Sequence, residues 1–251
     1  MAERRRVTLV TGGGRGIGAA TALRLARDGH HLGVGYTRSP GPAEEVAGAA
    51  RALGVRAVPV RLDVSVQEEV DAAFDLVRDE LGPVTGLVNS AGVTGPLGGF
   101  TDTSPEVIRR VVDVNVTGAL LCARRALREM STAHGGAGGS IVAIGSNAAT
   151  TGSPGEYVHY AASKAAVDTM VMGLAKEFGA EGVRVNCVAP GAVLTDIHAE
   201  MGDPDRAWKK AESIPVRRPG EPEEIADAVG WLMSDEASFT TGAVLRVAGG
   251  V

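Results

Sequence analysis

The chain has 251 residues, two cysteines and a formal net charge of −5, from 25 basic and 30 acidic residues. With 44% apolar and 22% charged residues it is neither a disordered chain nor a membrane bundle. Its acidic balance, with no basic stripe interleaved with aromatics, points away from nucleic acid. Glycine occurs 35 times without a three-residue period, so the missing Cβ atoms serve close approach or tight turns rather than a collagen-like repeat.

The chain opens on a basic stretch, Met1 to Arg6, followed by Val7-Thr8-Leu9-Val10. That apolar run is too short for a signal-peptide core and reads as an entering strand. Further β-branched runs follow at His31–Tyr36, Arg56–Leu62, Val84–Asn89, Ser140–Gly145, Val183–Val188 and Ala243–Val247. Helical periods separate them. Ile17 to Asp28 brings Ile17, Leu23, Leu25 and Ala26 toward one face, and Val66 to Leu81 repeats Val70, Ala73, Phe74 and Val77. Strands alternating with helices predict an α/β fold: one doubly wound parallel sheet of about seven strands, with helices on both faces. No linker divides it, so residues 1–251 read as one domain. The glycine-rich stretch 131–139 is short enough to be a loop. A less regular insertion, about 195–220, is expected to cover a ligand crevice. No apolar stretch is long enough to cross a membrane.

The first strand runs into Thr11-Gly12-Gly13-Gly14-Arg15-Gly16-Ile17-Gly18 and then a helix. Glycines there allow φ > 0 and let a pyrophosphate reach backbone N–H groups at a helix N-terminus. The lysine of a nucleoside-triphosphate loop is missing, and the position fits a dinucleotide instead. Such a site for NAD carries an acidic residue about 20 positions on, to bond the ribose 2′-hydroxyl. Residues 29–43 contain no Asp or Glu, and the second strand ends at Tyr36-Thr37-Arg38-Ser39. Arg15 and Arg38, helped by Thr37 and Ser39, would accept a 2′-phosphate, so NADP(H) is the expected cofactor.

Residues 157–164 read Tyr157-Val-His-Tyr160-Ala-Ala-Ser163-Lys164. Positions i and i+4 of a helix share a face, so Tyr160 and Lys164 project together. An ammonium beside a phenol favours phenolate, which would lower the Tyr160 pKa and make it a general acid/base. Tyr157 lacks such a partner, since four residues on lies Ala161. Accompanying motifs close the successive strands: Asn89-Ser90-Ala91-Gly92 after the fourth, Ser146 after the fifth, and Pro190-Gly191 with Thr195 after the sixth.

In this order the motifs resemble the short-chain dehydrogenase/reductase family in its single-domain form, over essentially the whole chain. The resemblance implies a Rossmann-type fold and an NADPH-dependent reduction of a ketone or aldehyde to an alcohol, or the reverse. It implies that Gly12, Gly16 and Gly18, with Arg15 and Ile17, form the pyrophosphate turn. Asp63 and Val64 would contact adenine, and Asn89, Ala91 and Gly92 would lie beside the cofactor. Pro190, Gly191 and Thr195 would face the nicotinamide. Asn115 would complete a catalytic tetrad by holding a relay water. Ser146 would bond the substrate oxygen, Tyr160 would move the proton, and Lys164 would lower the Tyr160 pKa and bind the nicotinamide ribose.

Two departures stand out. The Ser146–Tyr160 spacing is one residue wider than in many members, which places Asn147 at the usual distance. Val247 stands before Ala248-Gly249-Gly250, where many members carry an aspartate before the glycines. Within the class, a 3-oxoacyl-carrier-protein reductase competes with a sugar (glucose-type) or steroid-like alcohol dehydrogenase using NAD(P)+. Arg124, Arg125, Arg128, Lys209, Lys210, Arg217 and Arg218 are candidates for a basic patch toward an acidic carrier. A non-catalytic NADP-sensing binding protein is the alternative outside enzymes, and the full Asn115, Ser146, Tyr160, Lys164 set argues against it. No metal site is expected, because the five histidines and two cysteines share no ligand spacing. His198, in the insertion, is a candidate substrate contact. Cys122 and Cys187 read as buried free thiols of a cytoplasmic protein. The family resemblance further implies a homotetramer paired through helices matching 105–130 and 157–178, with a small-molecule carbonyl or alcohol as substrate.

Overall fold

The computed structural model describes residues 6–251, and the basic start, including Arg4 and Arg5, lies outside them. Seven strands occur where the β-branched runs predict them: β1 Val7–Thr11, β2 His31–Tyr36, β3 Ala57–Arg61, β4 Gly86–Asn89, β5 Gly139–Ile144, β6 Val183–Pro190 and β7 Val244–Val247. All six pairings are parallel, in the order β3-β2-β1-β4-β5-β6-β7. The chain reverses its direction of winding between β1 and β4. The C-terminal ends of these two strands therefore open a crevice, the usual place for a ligand in such a sheet.

The helices are α1 Gly16–Arg27, α2 Pro40–Ala52, α3 Gln67–Leu81, α4 Pro105–Val112, α5 Ala119–Met130, α6 Ala148–Thr151, α7 Val158–Phe178, α8 Ile197–Glu200, α9 Arg206–Lys209 and α10 Pro222–Met233. Side chains alternate across the sheet, which yields two cores. Leu9, Leu87, Ile141 and Ala143 pack with Phe74 and Val77 of α3, Cys122 and Ala126 of α5, and Val167 and Val171 of α7. Their neighbours Val10, Val88, Val142 and Ile144 pack with α1, α2 and α10 through Leu25, Ala47 and Val229. Strands buried on both faces explain the near-continuous apolar runs in the sequence.

Between α4 and α5 the helix widens into one π-helical turn, Asp113–Gly118. Such a turn inserts a residue into the ladder and is frequent at functional sites. It carries Asn115, and its Gly118 lies against Val64, where an added Cβ would come within 2.6 Å of a Val64 methyl. The insertion after β6 holds two single-turn helices, α8 and α9, with Met201, Arg206, Ala207 and Ile214 buried beneath it. It is thus a packed cover rather than a loose loop. Among the described residues, no helix is long and apolar enough to cross a membrane.

Candidate active site

The glycine turn joins β1 to α1 at the crevice. Gly12 has φ +61°, a backbone conformation that L-residues adopt at a steric cost. A Cβ on Gly18 would lie only 2.2 Å from the Gly12 carbonyl oxygen, so the first turn of α1 fits against the loop only without one. The helix starts with Arg15 at the N-cap, no side-chain cap and no acidic residue in its first turn. Its N-terminal N–H groups therefore lack side-chain acceptors, as a pyrophosphate site requires. Thr11, which the sequence reading passed over, ties the neighbouring strand in. Its Oγ1 accepts from the N–H groups of Ser90 and Ala91, each at 3.0 Å. A buried threonine as the last residue of β1, just before the glycines, was the signal available for it.

The floor of the crevice follows β4. Asn89 donates to the Ala119 carbonyl at 3.1 Å and is thereby fixed to α5. A Cβ on Gly92 would stand 3.4 Å from Asn115 Oδ1 and 3.5 Å from Lys164 Nζ, so this glycine keeps space open beside both polar groups. Asn115 is buried and fully engaged: its Oδ1 accepts from Val93 N at 2.9 Å, and its Nδ2 donates to Val93 O at 2.9 Å and to Ser163 Oγ at 3.0 Å. It clamps the loop after β4 to α7.

At the end of β5, the Ser146 hydroxyl is hydrogen-bonded to Tyr160, whereas Asn147 Oδ1 accepts from Thr150 Oγ1 at 3.2 Å. The extra residue in the Ser–Tyr spacing is taken up in the loop before α7, where Gly152, Ser153 and Gly155 all have positive φ. Tyr160 and Lys164 share a face of α7, with Lys164 Nζ 5.7 Å from the Tyr160 ring centroid. The Lys164 ammonium donates to the Ile144 carbonyl at 2.8 Å. Burial pushes the Tyr160 phenol up to about 12, against the Ser146 hydrogen bond. Burial also brings Lys164 down to about 8, with Cys187 and Asp168 pulling partly the other way. The resting pair is a protonated phenol beside a weakened cation.

Other expected contacts have found protein partners. Arg15 forms an ion pair with Glu200 of α8 at 2.6 Å, both side chains substantially exposed. Thr37 donates to the Leu62 carbonyl at 3.1 Å, while Arg38 and Ser39 stand exposed at the end of β2. Burial alone would raise the Asp63 carboxyl, but hydrogen bonds from Ser65 and the nearby Arg110 hold it below the usual value. Val64 is buried. The Pro190 carbonyl accepts from Asn147 N at 2.8 Å, and Gly191 lies against Ala248. Thr195 closes over the glycine turn, its methyl 3.3 Å from where a Gly16 Cβ would be. His198 is buried, with its Nε2 2.8 Å from the Val193 carbonyl within its own loop. Both cysteines are free and buried, and among the described residues no cluster of His, Cys, Asp and Glu could hold a metal ion.

The chain is similar to known proteins over nearly its whole length. A family model described as enoyl-(acyl carrier protein) reductase matches residues 12–251. The uncharacterized oxidoreductase YgfF of Escherichia coli (strain K12) is 44% identical, the match covering 97% of this chain and 99% of the relative. The cis-4-hydroxycyclohexanecarboxylate dehydrogenase of Sinomonas cyclohexanicum is 39% identical, covering 98% of this chain and 96% of the relative. Among solved structures, a dehydrogenase/reductase from Sinorhizobium meliloti 1021 superposes with a TM-score of 0.89 at 35% identity, covering 98% of this chain and 94% of that one.

Proposed function

Because the chain belongs to the short-chain dehydrogenase/reductase family, and is thus an NAD(P)-dependent oxidoreductase of alcohol and carbonyl groups, we propose that it reduces a small ketone or aldehyde with NADPH, using Tyr160 as the acid. The observation that carries this reading is the meeting of Ser146, Tyr160 and Lys164 beside the Gly92 floor of the crevice. NADPH, when bound along Gly12, Gly16 and Gly18, supplies hydride to the carbonyl carbon. Tyr160 gives its proton to the carbonyl oxygen, which Ser146 holds. Lys164 offers its ammonium to the nicotinamide ribose, and Asn115 keeps the loop after β4 in register with α7.

Arg38 and the absence of acidic residues after β2 favour NADPH over NADH. Arg15 would have to leave Glu200 to join Arg38 at a 2′-phosphate. The carrier-protein reading is weakened by the state of its basic candidates. Arg125 is paired with Asp71, Asp75 and Glu129, Lys209 with Asp203, Lys210 with Glu156, and Arg218 with Glu224. A free small molecule is the better substrate. The relative from Sinomonas cyclohexanicum is named for a cyclic secondary alcohol, which favours a cyclic ketone or its alcohol as the first class to try. The exposed apolar groove on α5 and α7, lined by Leu120, Ala166 and Met170, supports a homotetramer paired through these helices. Buried free thiols fit a cytoplasmic setting.

The test is NADPH consumption, followed at 340 nm, over a panel of linear and cyclic ketones. Tyr160→Phe is expected to keep NADPH binding and lose turnover by about 10²–10⁴-fold. Undiminished turnover in that variant would refute the mechanism.

A further inference from the structure

Tyr160 sits in the first turn of α7. The N-cap residue is Tyr157, with φ −161° and no side-chain cap hydrogen bond. Uncapped helix starts fray, yet this one holds the residue on which the proposed chemistry depends. Buried His159, whose Nε2 lies 2.8 Å from the Thr94 carbonyl, ties the turn to the loop after β4, and a second tie comes from the insertion after β6. Arg206 opens α9 and is only 8% exposed. Its Nη2 donates to Glu156 Oε2 at 2.5 Å and to the Tyr157 hydroxyl at 3.1 Å, and its guanidinium carbon lies 5.2 Å from the Tyr157 ring centroid. The other Glu156 oxygen accepts from Lys210 Nζ at 2.8 Å. The Tyr157 ring in turn meets the Tyr160 ring edge-on, centroids 5.2 Å apart and planes at 88°. The loop after β4 joins the same junction: Gly98 N donates to the Glu156 carbonyl and Leu97 N to the Met201 carbonyl.

A buried guanidinium is tolerated only while paired. Arg206 can therefore keep its place only when the insertion is closed over Glu156 and Tyr157. Resting on the Tyr160 reading above, we propose that Arg206 is a positioning residue: through Tyr157 it seats the Tyr160 ring, so that closure of the insertion sets the proton donor as well as covering the substrate. The junction makes the insertion and the start of α7 one unit. An opened insertion withdraws the guanidinium from the Tyr157 ring and hydroxyl and from the Glu156 carboxylate.

The experiment uses the full chain with NADPH and a ketone that the unaltered protein reduces. Arg206→Met is expected to lower kcat at least about tenfold, with a much smaller change in KM and unchanged NADPH affinity, because a misplaced acid slows the chemical step. Arg206→Lys, which keeps a cation for Glu156, should recover part of the loss. Tyr157→Phe, which keeps the ring contact and loses the hydrogen bond, should fall between. A raised KM with kcat unchanged in Arg206→Met overturns the proposal. Hydrogen exchange on the same proteins gives a second reading that needs no turnover: residues 153–160 and 196–214 should loosen together in Arg206→Met. Loosening confined to 196–214 also overturns it. Tyr160→Phe separates the two levels of the argument. If that variant stays active, the acid has been misassigned, and the exchange pattern alone decides whether the two segments are coupled.

Discussion

The two halves of the crevice are built on opposite principles. On the β1–α1 side the work is done by backbone, and side chains matter by their absence. Gly12 turns the chain through positive φ, Gly18 lets the helix touch the loop, and the α1 N–H groups stay uncapped. On the β5–α7 side the work is done by side chains whose charge states are set by what surrounds them. Tyr160 and Lys164 are both driven toward their neutral forms by burial. A backbone device is insensitive to pH and tolerates no added atom, while a buried side-chain device is tuned by every neighbour. The comparison can be broken from either side.

The largest effect is expected at Lys164. Lys164→Met should lose turnover by about 10²–10⁴-fold while raising thermal stability at pH 7. The sign follows from its pKa, about 8 in the fold against 10.5 for an ordinary lysine. The fold penalises the charged form, so its cost is full below pH 8, fades as pH rises from 8 to 10.5, and is gone above. At roughly 1.4 kcal/mol per unit this amounts to about 3 kcal/mol at most, less whatever the bond to Ile144 returns. Melting curves of both proteins should therefore converge across pH 8–10.5. A variant less stable at pH 7 than the parent would show that the Ile144 hydrogen bond outweighs the buried charge.

Next in size, Ser146→Ala should reduce kcat about 10²-fold, as loss of a donor to the reacting oxygen does, while Asn147→Ala should leave it nearly unchanged. The reverse ranking would move the catalytic position by one residue and undo the alignment of this half of the site. Smallest is the one side-chain element of the backbone half. Arg38→Ala should weaken NADPH about tenfold or more in a fluorescence titration and leave NADH almost untouched, consistent with loss of a charge-assisted bond of about 1.5–3 kcal/mol. Equal weakening of both cofactors would mean that Arg38 does not read the 2′-phosphate.

The same contrast governs what could be read before the fold was known. Strand positions were legible because the central runs are buried on both faces and read as near-continuous apolar stretches. The glycine turn was legible because only glycine satisfies its geometry, so its composition is its function. Tyr160 and Lys164 were legible as an i, i+4 pair. Their pKa values were not, because burial inside the fold is the leading cause of both shifts. Nor was Thr11 legible as an anchor, because its partners Ser90 and Ala91 lie one strand away.

Local sequence thus determined the α/β alternation, the glycine turn and the face of α7 that Tyr160 and Lys164 share. Each depends on residue type and spacing within a single element. Tertiary structure alone decided which serine-side residue meets Tyr160, how burial sets the two pKa values, and that Arg206 bonds the Tyr157 hydroxyl from a loop 49 positions beyond it. Those outcomes depend on desolvation and on partners brought together across the sheet, which no spacing along the chain encodes.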